Sequence, residues 1–147
     1  MRELPGTTAD RSELEAYDEL RAYTLSHRDP AFLHQHVVDA WTAQHADDRT
    51  KPIALAFALV GLCLHLERGF TGRQVQRVHM EMARRRKDWP AFPLPSERGG
   101  ITARDVVREP PGPARDRAID LWCAAVWEAF RESRPKVIRL LAEHGLA

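Results

Sequence analysis

Cysteine is scarce in this 147-residue chain: Cys63 and Cys123 are the two, and each lies inside an apolar run. That excludes a disulfide framework and any Cys-x-x-Cys motif, and it predicts two reduced thiols in a hydrophobic core. No stretch is long and apolar enough to span a bilayer, and Met1-Arg2-Glu3-Leu4-Pro5-Gly6 lacks the apolar centre of a signal peptide. No membrane partner is expected, and the expected location is the cytoplasm. Neither sign of charge dominates, with 22 Lys and Arg against 21 Asp and Glu. A whole-molecule field for nucleic acid or anionic lipid is thereby excluded, and a charged partner has to be met by a local patch. Also missing are a glycine-rich phosphate loop, a serine or cysteine nucleophile at a recognised spacing, His-Glu-x-x-His, and the Glu-x-x-His pair of di-iron bundles. What is present, 44% hydrophobic and 29% charged residues, suits one ordinary domain over residues 1–147 with a sizeable core.

Apolar positions recur at helical spacing throughout, which predicts an all-α fold, a single-domain bundle of five to six helices. The first helix is expected from Arg11 to about Leu25, with Leu14, Tyr17, Leu20 or Arg21, and Thr24 on one face and Asp10 or Ser12 as its cap. Asp29-Pro30 reads as a cap with proline in the first turn, opening a second helix to about Ala46. Lys51-Pro52 opens a third, apolar nearly all round from Ile53 to Leu66, as befits a central helix that stops at Gly69. Thr71 and Gln74 have capping-box spacing for a fourth helix to Arg86 or Lys87. A proline- and glycine-rich connection follows from Trp89 to Pro113. Its Ile101 to Val107 segment reads as a short helix capped by Thr102 or as an extended piece, and Trp89, Phe92 and Leu94 are expected to pack across the bundle. The penultimate helix, Ala114 to about Ser133, carries Ile119, Trp122, Cys123, Val126, Trp127 and Phe130 on one stripe that should face the third helix. Pro135 then breaks the chain before a last short helix.

The histidines carry the functional signal. At 100° per residue, His34 and His45 share the apolar arc of the second helix with Leu33, Val37, Val38, Ala40, Trp41 and Gln44, while His36 and Asp39 flank it. His65 lies near the end of the third helix, and His79 shares a face with Val75, Val78 and Met82 on the fourth. Helices joined by short connections tend to be antiparallel neighbours, so at least two of His34, His65 and His79 are expected to converge, with His36 and His45 as replacements. His34 and His65 should match in height. Three imidazoles and a water would make an open divalent-metal centre, zinc above all, able to activate water or polarise a substrate. Asp39, Gln44 and Glu67 are the candidates for catalytic support or a fourth ligand. For each histidine taken singly, a satisfied structural ring is the plainer explanation, and His27 and His144, near helix ends, read as partners of the helix dipole.

Read together, Tyr17-Asp18-Glu19-Leu20, His34-Gln35-His36-Val37-Val38-Asp39-Ala40-Trp41, Gln44-His45, Leu66-Glu67-Arg68-Gly69 and Trp122 to Trp127 resemble a bacterial family of uncharacterised all-α domains of unknown function. The resemblance runs over most of the chain and centres on His-x-x-x-Val-Asp-Ala-aromatic-x-x-Gln-His, which falls on His34, Val38, Asp39, Ala40, Trp41, Gln44 and His45. It implies an all-α fold and no particular activity. It also implies a histidine at the position of Ala58 and a histidine pair near Ser133 and Arg134, none of which this chain has; His65, seven residues beyond Ala58 on the same face, could take a shifted version of that part. By architecture alone, the bundle is similar to DinB-like metal-binding proteins.

Two other readings compete with a metal centre. The turn Gly69-Phe70-Thr71 before a helix bearing Arg73, Gln74, Gln76 and Arg77, and ending in Arg84-Arg85-Arg86-Lys87, resembles the recognition half of a helix-turn-helix. Nucleic acid is nonetheless not the expected partner, because the preceding helix is too apolar to cross a DNA backbone and basic residues at a helix C-terminus complement its dipole. A metal-free small-molecule binder or enzyme could instead use a pocket of Trp41, Trp122 and Trp127 with histidine as acid or base, although aromatic stripes at this spacing are first of all core. A small-molecule ligand or substrate and a homo-oligomer are both compatible with these residues.

Overall fold

The computed structural model describes residues 5–26 and 29–146, with side chains from Ser12 onward. The helices are α1 (Pro5–Ser26), α2 (Leu33–Gln44), α3 (Pro52–Arg68), α4 (Gly72–Arg85), α5 (Ala103–Val107), α6 (Pro113–Ala129) and α7 (Arg134–Glu143), with one 3-10 turn, Arg131–Ser133, between the last two. No strand occurs among the described residues. His27 lies outside them.

α3 forms as expected, with proline in its first turn and Gly69 in the left-handed conformation at its end. A helix that is apolar nearly all round has to be covered nearly all round. Accordingly α3 packs on α2, α4, α6 and α7, and its Leu59, Val60, Leu62, Cys63 and Leu64 are fully buried. α2 is the second hub, touching α1, α3, α4 and α6. The stripe of α6 packs as expected, with Ile119, Trp122, Cys123, Val126, Trp127 and Phe130 all buried against α2 and α3. α4 carries the capping box, Thr71 accepting from the Gln74 backbone and Gln74 from the Thr71 backbone. The thiols of Cys63 and Cys123 are free and buried.

Several boundaries and phases differ. α1 starts at Pro5, so Asp10 and Ser12 lie within it rather than capping it, and its buried face is Ala16, Leu20 and Thr24 while Leu14 is exposed. α2 starts at Leu33, because the chain makes a turn at 29–32 with Phe32 left-handed at φ 58. Asp29 still caps it, its carboxylate accepting the Leu33 and His34 N–H at 2.7 and 3.1 Å. α6 ends at Ala129, four residues earlier than its periodicity suggests, and Pro135 sits in the first turn of α7, where its missing N–H is no loss.

The long connection is pinned rather than free. Phe92 is buried and Trp89 half-buried, but Leu94 points outward. The Gln44 amide donates to the Arg98 and Ile101 carbonyls at 3.2 and 2.7 Å, and Arg98 donates to the Ala43 and Gln44 carbonyls at 3.1 Å each, capping α2. Thr102 and Asp105 form a second capping box for α5, and Glu13 of α1 accepts the Ala103 and Arg104 N–H at 3.1 Å.

Candidate functional site

α2 and α3 run antiparallel, and their contact puts two histidines face to face. The rings of His36 and His65 are stacked with centroids 3.6 Å apart and planes within 15°. His65 is held at both nitrogens: Nδ1 lies 3.2 Å from the Phe70 carbonyl, in the turn before α4, and Nε2 lies 3.0 Å from Oδ1 of Asp120 on α6. Asp120 stands at the surface, His65 is mostly covered, and His36 is 1% exposed with Nδ1 lacking a partner. Burial first, and then the neighbouring His65, pulls His36 down from 6.5 to about 4, against the opposing pull of Asp120 and Asp29.

One turn deeper, Asp39 of α2 meets Gly61 of α3. Its Oδ1 accepts from the Gln35 amide at 3.0 Å, while Oδ2 has no partner and occupies the place of a side chain on Gly61, 1.9 Å from where a Cβ would be. Burial holds this carboxyl well above 3.8, the Gln35 bond opposing. Cys123 of α6 closes the seam from the other side, its Sγ donating to the His36 carbonyl at 3.6 Å, and burial pushes its thiol far up.

The other candidates go elsewhere. His34 faces α1, where Nδ1 meets the Thr24 hydroxyl at 3.0 Å. His79 stacks on Phe57 at 4.3 Å and bonds the Phe57 carbonyl through Nε2 at 2.8 Å; burial lowers it to about 4. His45 is exposed and stacks on Trp41 at 3.6 Å, with Trp41 in turn stacked on Tyr17 at 4.2 Å. Of the expected convergence, His34 and His79 take no part, and His36, the replacement named for a misjudged helix phase, is the ring that meets His65. α2 is covered on several sides, and the arc containing His34, Trp41 and His45 faces α1 rather than α3. Gln44 is consumed by the connection and by the Trp122 indole, whose N–H it accepts at 2.9 Å. Glu67 accepts the Trp127 indole at 2.8 Å and a two-pronged contact from Arg134. Trp41, Trp122 and Trp127 thus make their contacts separately, with Tyr17 and His45, with Gln44 and with Glu67. The residues that sequence reasoning missed are Asp120 and Gly61. Asp120 sits on the exposed flank of α6 with no local signal, whereas a glycine in the middle of an apolar helix was a readable mark of close approach.

Among the described residues, no three His, Cys, Asp or Glu side chains are grouped to hold a metal ion. The stack shows why: imidazole lone pairs lie in the ring plane, and two nearly parallel planes do not direct them to one point. The basic end of α4 is largely paired, Arg84 and Arg85 with Glu81 and Arg86 with Glu143, although Arg73 and Arg77 are exposed. Surface grooves of about 350 and 370 Å³ lie beside Ile101, Val106 and Leu121 and beside Leu94, Pro95 and Phe130, away from the histidines.

A family of unknown function, DUF5946, matches residues 14–131. The chain belongs to DUF5946. No curated protein and no solved structure matches it. The matched span of this DUF5946 chain contains α2, α3, α4, α5 and α6 whole, and with them His36, His65, Asp39, Gly61 and Asp120. It also contains the Gln44 clamp on the long connection.

Proposed function

We propose that this protein works as a proton-responsive helical domain, with the array of Asp120, His65 and His36 as its sensing element. The observation that carries the reading is the stack of two imidazoles from neighbouring helices at 3.6 Å. Both partners of His65 accept, so its ring makes both bonds only with hydrogen on both nitrogens. His36 is then the ring kept neutral. A proton added to His36 would set two cations face to face, a repulsion of roughly 4–5 kcal/mol at an effective dielectric of about 20. That exceeds the ~0.5–1.5 kcal/mol expected from stacking aromatic rings, so the balance favours parting of α2 and α3 once His36 is charged.

A divalent metal, zinc in the first place, is the second reading, favoured by two imidazoles and one carboxylate from three helices lying side by side. It requires both rings to turn and His65 to leave its present partners. Ring-nitrogen NMR between pH 7 and pH 4, followed by zinc titration of untagged protein, separates the two. His36 should stay neutral until about pH 4 and gain its proton together with loss of α2–α3 packing. Titration of His36 near 6.5 with the packing unchanged would sink the reading. One zinc bound per chain, and lost in both His36→Ala and His65→Ala, would replace it with the metal centre.

A further inference from the structure

Phe32 is the one non-glycine residue with positive φ among the described residues, at φ 58 and ψ 56. A side chain disfavours that conformation, which persists only where the surroundings impose it. The start of α4 imposes it here. The Gly72 N–H donates to the Ala31 carbonyl at 2.7 Å, and the Phe32 carbonyl comes so near Gly72 that a Cβ there would lie 1.8 Å from its oxygen. The Arg73 guanidinium lies over the Phe32 ring, 4.9 Å from its centroid. Only glycine permits this approach. The two sides of the clasp are also the two segments that the histidine stack ties together. His36 lies in the first turn of α2, four residues after Phe32, and His65 is bonded to Phe70 in the turn that leads into α4.

We propose that the clasp between Phe32 and Gly72 is the segment controlled by the stack: it stays shut while His36 is neutral, and it opens when the two rings part, letting Phe32 relax and exposing the start of α4. This rests on the proton-responsive reading of the site. The groups that act on the His36 ring are His65 on α3, Asp120 on α6 and Asp29 in the preceding loop, and the Cys123 thiol of α6 sits on the His36 carbonyl. α4 brings Arg73, which acts on the Phe32 ring, and α1 brings Thr24, which is taken by His34. The carboxylates of Asp29 and Asp120 favour a proton on His36, and burial and His65 oppose it. The stack is therefore held by covering, and a local opening that lets water in invites the proton.

The test is the hydrogen-exchange protection factor of the Gly72 N–H in the full chain as pH is lowered. Between 6.5 and about 4 the open form should hold one proton more than the closed form, so protection should fall about tenfold per pH unit. In His36→Gln that dependence should vanish. Phe32→Gly, which removes the strain without touching the histidines, should keep Gly72 protected more strongly at every pH. Protection at Gly72 that holds down to pH 4 while the His36 ring gains its proton would overturn the clasp and leave the sensing array standing. An unchanged pH dependence in His36→Gln would overturn it as well. If the His36 ring never couples to packing, it is the reading of the site that fails.

Discussion

Gly61 occupies the middle of a helix built mostly of Ala, Leu and other apolar residues, a position where alanine would favour the helix by about 1 kcal/mol. Glycine stands there because Asp39 does: the carboxyl oxygen fills the space a methyl group would need. Gly61→Ala should therefore cost about 1–3 kcal/mol in urea unfolding, as overpacking does. In an Asp39→Ala background the same change should become neutral or favourable, and a double-mutant cycle with no coupling would refute the contact. The charge of Asp39 gives a second expectation. Its folded value lies well above 3.8, so the stability it contributes is full below 3.8 and is lost as pH rises through that folded value. Asp39→Asn keeps the bond from Gln35 and has nothing to ionise, so it should be at least as stable as the parent at pH 7–8, without the decline that Asp39 brings as pH rises above 3.8. At this level the sequence was partly readable. The residue types of the site, histidine and aspartate on α2 and α3, stood out, but the partner of His65 did not. Asp120 meets it across a separation of 55 residues, and no local pattern encodes that distance. Nor does a hydrophobic arc tell which neighbour it faces once a helix is covered on several sides, which is why His36 takes the place expected of His34.

Gln44 shows how much of the architecture hangs on one side chain between elements. Its oxygen accepts the Trp122 indole of α6, and its nitrogen serves the Arg98 and Ile101 carbonyls, so α2, α6 and the long connection meet at a single amide. Arg98 answers by capping α2. Gln44→Ala would strand the buried Trp122 N–H and two carbonyls that water reaches poorly, and each group left unpaired costs about 1–3 kcal/mol. A loss of about 2–4 kcal/mol is expected in thermal or urea unfolding, with faster hydrogen exchange around residues 98–101; a variant within 0.5 kcal/mol of the parent, about the usual range for a plain surface change, would show that the connection is held by other means. The elements themselves were largely evident from capping boxes, prolines in first turns and helical spacing; the segment of α5 was left open between a short helix and an extended piece, and the helix is what forms. How the connection is fixed was not evident. The run was expected to pack across the bundle through Trp89, Phe92 and Leu94, but no local pattern encodes that the amide of a distant helix straps it down at Arg98 and Ile101. The end of α6 was misplaced for a related reason: the hydrophobic stripe continues through Phe130, but the backbone tightens into a 3-10 turn there to let α7 pack back on α3.

For the molecule as a whole, near-neutral charge means that pH acts through buried groups rather than through a net field. His36 and His79 both lie inside the bundle with folded values of about 4, against an ordinary 6.5. Between those two values the unfolded chain holds a proton at each site that the folded chain does not. Stability is therefore full above 6.5 and falls as pH drops to about 4, by up to about 1.4 kcal/mol per unit for each histidine. Asp39 works in the opposite sense from 3.8 upward, so it offsets part of the slope that the two histidines produce over the same range. His79 isolates the structural share of the acid limb, because it stacks on Phe57, bonds a backbone carbonyl and stands apart from the Asp120 array. His79→Gln can still donate to that carbonyl but cannot take a proton. Its unfolding free energy, measured by urea at half-unit steps from pH 7 to pH 4, should lose up to about 1.4 kcal/mol per unit of the parent's acid slope, and adding His36→Gln should remove a similar share again. An acid limb that survives both substitutions undiminished would place the acid sensitivity of this fold in groups other than its buried imidazoles.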